Sequence, residues 1–328
     1  MKILMVFDFD HTVVDENCDI WVIKCLPTQT LPDSVESTYR RGQWTEYMGR
    51  VMAYIGDQGV APDRVRSIME TIPFTPGMPE LLTFVSENKS TVDCIIVSDA
   101  NTMFIEWVLQ GVGLREAVDQ VYSNPASISE SGCMELRPHH SHQCAKCPVN
   151  MCKKKVLETY LSEKADGGEV YGRVLYVGDG GNDLCPALCL SERDAVMPRK
   201  GYTLDKMLTR LRDEEGKGSI SAKVIPWSSG AEILQELRDM NLKKPLSEEV
   251  LFSHEEDGRG GPQPREKTSS VHVVALNPNL HSEMIQICLI QHRLRKAIKA
   301  SKCSKLYPRR LRKQALMVPR WLSYDPHD

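Results

Sequence analysis

Asp8 and Asp10 stand one residue apart where an apolar run, Ile3 to Phe7, comes to an end. The run reads as a β-strand, and on a strand residues i and i+2 share a face, so both carboxylates are expected to project together. Two acids held that close repel, and burying them unpaired costs roughly several kcal/mol each. A hard divalent cation relieves that cost, and Mg²⁺ prefers carboxylate oxygen and water. The position suits chemistry, because an open α/β sheet collects its ligands just past the carboxyl ends of its strands. The alternative is a pair of solvated turn acids.

Two further apolar runs end in polar groups. Asp93 to Val97 leads into Ser98-Asp99, and Arg173 to Val177 leads into Gly178-Asp179-Gly180-Gly181-Asn182-Asp183. In a parallel sheet these ends lie side by side, and the residues divide naturally into roles. Asp8 suits nucleophilic attack on phosphorus, giving an aspartyl-phosphate. Asp10 suits protonation of the leaving oxygen and later activation of water. Ser98 offers a hydroxyl to a phosphoryl oxygen, and Asp179 completes an oxygen-rich Mg²⁺ site with Asp8 and Asp10. Asp183 either holds a metal-bound water, and so joins the metal set, or orients a lysine. Lys153, first of Lys153-Lys154-Lys155, is the candidate cation against the phosphoryl charge. A solvated basic helix start is the competing reading of that run.

A second constellation is His140-x-His142-x-Cys144-x2-Cys147-x4-Cys152. Cys and His at such spacing chelate Zn²⁺ in structural sites. Its second half is irregular, and thiols beside a helix start also simply pack, so both readings stand.

The elements that must carry these residues follow from the pattern. Strand-like runs alternate with helical ones, which argues for an α/β fold, a Rossmann-like parallel sheet with helices on both faces. Residues 18–72 break the alternation. Trp21 to Leu26, Tyr39 to Ile55 and Pro62 to Ile72 all read as helices, so a small helical cap is expected after the first strand. The core then comprises residues 1–17 and 73–244. Beyond it, 245–328 reads as a linker followed by a basic tail, expected to be poorly ordered, with ten Lys or Arg and no acid between Arg293 and Lys313.

Composition narrows the class. A net charge of −3 over 328 residues gives no general reason to expect nucleic acid as a partner. No apolar run is long enough for a transmembrane segment, and no signal peptide precedes the acids. Eleven cysteines, an odd number without a secretory signal, point to reduced thiols and a cytoplasmic chain. A Cys/His nucleic-acid module would need a second well-spaced half-site, which is lacking. The oligomeric state stays open.

Asp8/Asp10/Thr12, Ser98, Lys153 and Asp179/Asp183 occur in the order found in haloacid-dehalogenase-like phosphatases, which the chain resembles. It is more closely similar to the vertebrate phosphatase orphan family from Met1 to about Leu237. Asp15 to Asp19, Pro73 to Met78, Ser98 to Asn101 and Gly178 to Asp183 carry that similarity. The resemblance implies a Mg²⁺-dependent hydrolase of a small phosphomonoester, with Asp8, Asp10 and Asp179 at the metal and Asp19 and Asp99 at the substrate. Trp44 to Glu46, Met197 to Leu204 and Trp227 to Gly230 look nearer the pyridoxal phosphate branch than the phosphoethanolamine/phosphocholine branch. Asp19 and Asp99 also suit a cationic head group, and Trp21, Tyr39, Trp44 and Tyr47 could offer it cation–π contacts. His11 departs from the acid or amide expected after the second Asp.

Overall fold

The computed structural model describes residues 2–213 and 220–242; the expected linker and basic tail lie outside the described residues. Strand β1 (Lys2–Phe7) is followed by four helices: α1 (Cys18–Trp21), α2 (Asp33–Glu36), α3 (Trp44–Asp57) and α4 (Pro62–Met69). Helix α5 (Met78–Glu87) leads to β2 (Val92–Asn101), α6 (Thr102–Gly111) and β3 (Gln120–Asn124). A short hairpin, β4 (Ala126–Ile128) and β5 (Met134–Leu136), precedes α7 (Lys153–Asp166) and β6 (Tyr171–Gly178). The rest comprises α8 (Leu184–Ala187), β7 (Ala195–Pro198), α9 (Thr203–Asp213), β8 (Lys223–Val224) and α10 (Gly230–Leu242).

Six strands form one parallel sheet in the order β3-β2-β1-β6-β7-β8. Alternation along the strands divides the core. Ile3, Met5 and Phe7 face one layer with Cys94, Ile96, Leu175 and Val177, while Leu4 and Val6 face the other with Ile95, Val97, Val174 and Tyr176. Leu4, Met5, Val6 and Phe7 are wholly buried, and each contributes roughly 1.5–3 kcal/mol of hydrophobic stabilisation. The strand order reverses at β1, which has β2 on one side and β6 on the other. Connections leave in opposite directions there and open a crevice past the carboxyl end of β1.

Residues 18–72 contain helices and no strand. Their base is closed by pairing of the flanking chain: Val14 bridges Phe74, and Asp15 N–H donates to the Pro73 carbonyl at 2.8 Å. Helix α3 begins at Trp44 rather than Tyr39, because Gly42 adopts φ 78° and breaks the run. It buries Tyr47, Met48, Val51, Met52 and Ile55, one helical face. Gly77, at φ 77°, starts α5 where a Cβ would lie 2.6 Å from the Ala231 nitrogen, so α10 seats directly on that turn. No helix among the described residues is long and apolar enough to cross a membrane.

Candidate active site

Phe7 pairs with Ile96 on one side and Val177 on the other, so Asp8, Ser98 and Asp179 emerge at the same edge. Carboxylate oxygens of Asp8, Asp179 and Asp183 lie within 4.8 Å of one another, all three residues buried. Lys153, 1% exposed at the start of α7, is 2.7 Å from Asp8 Oδ2 and 2.8 Å from Asp183 Oδ1. Burial opposes its charge, but Asp183, Asp8 and Asp99 outweigh that and hold the ammonium well above its usual range. Strand ends distant in sequence thus share one charged cluster, as their common edge requires.

Asp183 is engaged on every side. Its Oδ1 accepts from Lys153 and, at 2.7 Å, from the Tyr176 hydroxyl; its Oδ2 accepts from the Asp179 and Gly180 amides at 3.1 and 3.0 Å. A carboxylate has about four lone-pair sites, so those of Asp183 are filled by this chain alone. Of the two roles expected for it, a hold on a metal-bound water or orientation of the lysine, these bonds bear on the second. Gly178 is required for the arrangement, because a Cβ there would lie 2.4 Å from Asp183 Oδ2. Asp8 and Asp179 remain as oxygen donors, and a buried, all-carboxylate set of this kind fits a hard divalent cation. Thr12 Oγ1 donates to Asp179 Oδ1 at 3.3 Å and steadies it.

Asp10 does not join them, contrary to the expectation from strand geometry. The ladder of β1 stops at Phe7, and the amides of Thr12, Val13 and Val14 all bond the Phe9 carbonyl, so the chain winds into a turn. Period-two alternation no longer applies. The Asp10 carboxylate instead accepts from the Cys18 amide at 3.0 Å, at the start of α1. Burial, with the charges of Asp19 and then Asp8, pushes this carboxyl up to about 8 against the opposing Cys18 bond. A carboxyl that keeps its proton near neutrality is suited to donate it.

Ser98 and Asp99 lie within the last residues of β2, which runs on to Asn101 past the end of its pairing with β1. Ser98 Oγ accepts from the Ala100 amide at 3.3 Å, and Asn182 Nδ2 donates to Asp99 Oδ2 at 2.9 Å. Asp19, on α1, accepts from Trp44 Nε1 at 2.6 Å. Trp44 packs with Tyr39 and Tyr47 at centroid separations of 5.4–5.8 Å. Trp21 is not part of that group; its ring lies under Lys24, and its Nε1 donates to the Ile68 carbonyl.

Arg199 escaped the sequence reading. It is 8% exposed, donates to the His11 carbonyl at 2.5 Å and pairs with Asp15. Its guanidinium also stacks 4.6 Å from the Tyr202 ring. His11 has φ 53°, so the loop holding Asp8 and Asp10 turns through a left-handed residue that Arg199 clamps. Nothing local in the sequence ties position 199 to position 11.

Of the Cys/His set, Cys144, Cys147 and Cys152 converge, and Cys185 completes the group in place of the histidines. His142 uses both ring nitrogens: Nδ1 accepts from the Cys144 amide at 3.1 Å, and Nε2 meets the Pro148 carbonyl at 2.7 Å. His140 Nε2 accepts from the Cys152 amide at 3.2 Å. Burial, then the charges of His139, Lys155 and His142, pushes His140 down to about 4, which keeps it a neutral acceptor. Both histidines shape the loop and stand outside the sulfur group.

The family model described as "Putative Phosphatase" matches residues 3–241. The pyridoxal phosphate phosphatase PHOSPHO2 of Bos taurus is 45% identical over 238 residues, 73% of this chain and 98% of that protein. The protein of the same name from Homo sapiens is 44% identical over equal shares. The phosphoethanolamine/phosphocholine phosphatase of Gallus gallus is 41% identical over 243 residues, 74% of this chain and 90% of that protein. A match over most of the chain, on a sheet whose acidic edge these residues build, places it: the chain belongs to the Putative Phosphatase family.

Proposed function

We propose that this phosphatase hydrolyses pyridoxal 5′-phosphate through a transient aspartyl-phosphate, in the reducing cytoplasm. The observation that carries the mechanism is the buried Lys153 ammonium, set between Asp8 and Asp183 beside Asp179. An Asp8 oxygen attacks phosphorus, and the bond from phosphorus to the ester oxygen breaks. Asp10, turned out of the acidic cluster, gives its proton to the departing alkoxide, releasing the alcohol. Water then attacks the same phosphorus, Asp10 takes up its proton, and the bond to Asp8 breaks to free inorganic phosphate.

Lys153 offsets negative charge on the phosphoryl oxygens, and Asp183 fixes where that ammonium sits. Ser98 donates its hydroxyl to the same oxygens. Asp8 and Asp179 would hold Mg²⁺, which when bound draws charge from the phosphoryl group. The relatives' names support the substrate, and the nine cysteines among the described residues, all free thiols, support the compartment.

Asp19 favours a second reading. A carboxylate beside the Trp44 ring also suits the cation of phosphoethanolamine or phosphocholine. The test is kcat/KM with Mg²⁺ for all three esters, with Asp8→Asn as blank. Preference for pyridoxal 5′-phosphate supports the assignment, and preference for either amine ester replaces it.

A further inference from the structure

We infer that Cys144, Cys147, Cys152 and Cys185 hold one Zn²⁺ in a closed, tetrahedral, all-thiolate structural site. Their four sulfur atoms lie within 4.8 Å of one another. Cys144 and Cys185 sulfurs are 3.8 Å apart, and those of Cys147 and Cys152 are 3.6 Å apart. Zinc–sulfur bonds of about 2.3 Å at tetrahedral angles put ligand sulfurs about 3.8 Å apart, close to both separations. A disulfide would draw two of them to about 2.05 Å, and all four are free thiols.

Simple packing explains less. Cys144 and Cys147 are only half-buried, on a stretch between β5 and α7 that has no helix or strand. A thiol gains little from water exclusion there, and nothing in apolar packing makes four sulfurs meet from separate turns. A stretch of that length with no regular structure needs some other tie, and a metal supplies one. Charge is compatible: four thiolates on Zn²⁺ carry a net 2−, and Lys155, with Lys154 and its partner Glu158, lines the same surface hollow as Cys144 and Cys152.

The sulfur group is separate from the acidic cluster, yet it brackets it. Cys152 immediately precedes Lys153, and Cys185 follows Asp183 by two residues. Zinc would therefore tie the start of α7 to α8, the two segments that bring Lys153 and Asp183 to 2.8 Å. This last consequence rests on the role given to Lys153 above; the metal site does not.

The full chain is purified under reducing conditions without chelator, and its zinc is measured by mass spectrometry. About one zinc per chain is expected in the unaltered protein and in Asp8→Asn, and less than about a tenth of that in Cys147→Ser/Cys185→Ser. Should the double variant fail to fold, the unaltered chain grown on cobalt answers instead. Four thiolates around Co²⁺ give intense ligand-to-metal absorption and strong visible bands, and oxygen ligands do not. Four freely titratable thiols with neither zinc nor that spectrum overturn the site. So does zinc that persists in the cysteine variant or disappears with Asp8→Asn. None of these readouts depends on turnover, so loss of this inference leaves the proposed hydrolysis standing, and the reverse.

Discussion

At the sheet edge, Asp183 is saturated with four donors and Lys153 bridges two carboxylates; the helical stretch 18–72 is unlike it. There Thr45 Oγ1 and Tyr47 OH are buried with no hydrogen-bond partner among the described residues, although each such group costs roughly 1–3 kcal/mol. At the edge the neutral groups Asn101 Nδ2, Ser123 Oγ and Asn182 Oδ1 are likewise unpartnered among the described residues, so the difference lies in the charged groups, which the edge holds fixed. The contrast suits a division of labour. A phosphoryl group presents the same charges whatever it is attached to, so the groups that meet it can be fixed in advance. The leaving group varies, and unengaged donors near the Asp19–Trp44 pair are available to read it. We propose that residues 18–72 act as a cap that selects the ester while the sheet edge performs one reaction on any ester admitted.

Changes at the edge should therefore lower kcat for every substrate alike. Asp8→Asn removes the nucleophile at constant volume, and kcat should fall by at least about 10⁴-fold with each ester, measured in single-turnover and steady-state assays. Retention of one activity but not another would break the division. Lys153→Met comes next. It leaves the Asp8 and Asp183 carboxylates buried without their cation, which should cost roughly 3–5 kcal/mol in denaturant unfolding. In the same variant kcat should drop about 10²- to 10³-fold, with the order of substrate preference unchanged.

Arg199→Leu probes the loop that connects edge to cap. The variant loses the bond to the His11 carbonyl and the pairing with Asp15, whose side chain is 42% exposed and regains water, so the destabilisation should be about 1 kcal/mol. Because Asp8 and Asp10 sit on that loop, kcat should fall about tenfold for all substrates, and Arg199→Lys should recover little, since one ammonium cannot span both partners. A change in substrate preference instead would assign the loop to recognition.

How legible each region was in the sequence follows from what positions it. Asp8, Ser98, Asp179 and Asp183 could be grouped because buried apolar runs announce strands, and parallel strands bring their ends together whatever the loops do. The same logic failed two residues later: Asp10 was assigned to the face of Asp8, but the backbone had already left the strand for a turn at Phe9. Cys185 was missed as the fourth thiol because it lies thirty-three residues beyond Cys152, on α8, and only the packing of α8 against α7 makes them neighbours. His140 and His142 were candidate ligands from spacing, and spacing does not show that a backbone amide already occupies one ring nitrogen of each. The helices of 18–72 were readable from periodicity. Which of their side chains meet one another was not, since that depends on crossing geometry.

Trp44→Phe gives the smallest expected effect and the sharpest test of the cap. Phenylalanine retains an aromatic ring to pack against Tyr39 and Tyr47, but it has no N–H for Asp19 Oδ2, now bonded at 2.6 Å. The bonds that hold Lys153 and Asp183 run to Asp8, Tyr176 and the Asp179 and Gly180 amides, so the charges met by the phosphoryl group should stay where they are. An interaction that serves substrate equally in the bound and the transition state appears in KM and leaves kcat alone. KM should rise about 3- to 10-fold, and by different factors for pyridoxal 5′-phosphate and phosphocholine, because a carboxylate freed from tryptophan attracts a quaternary cation more strongly than it does a neutral aldehyde. Equal losses in kcat for both esters would mean that Trp44 and Asp19 act on the reaction itself, and that cap and edge are one machine.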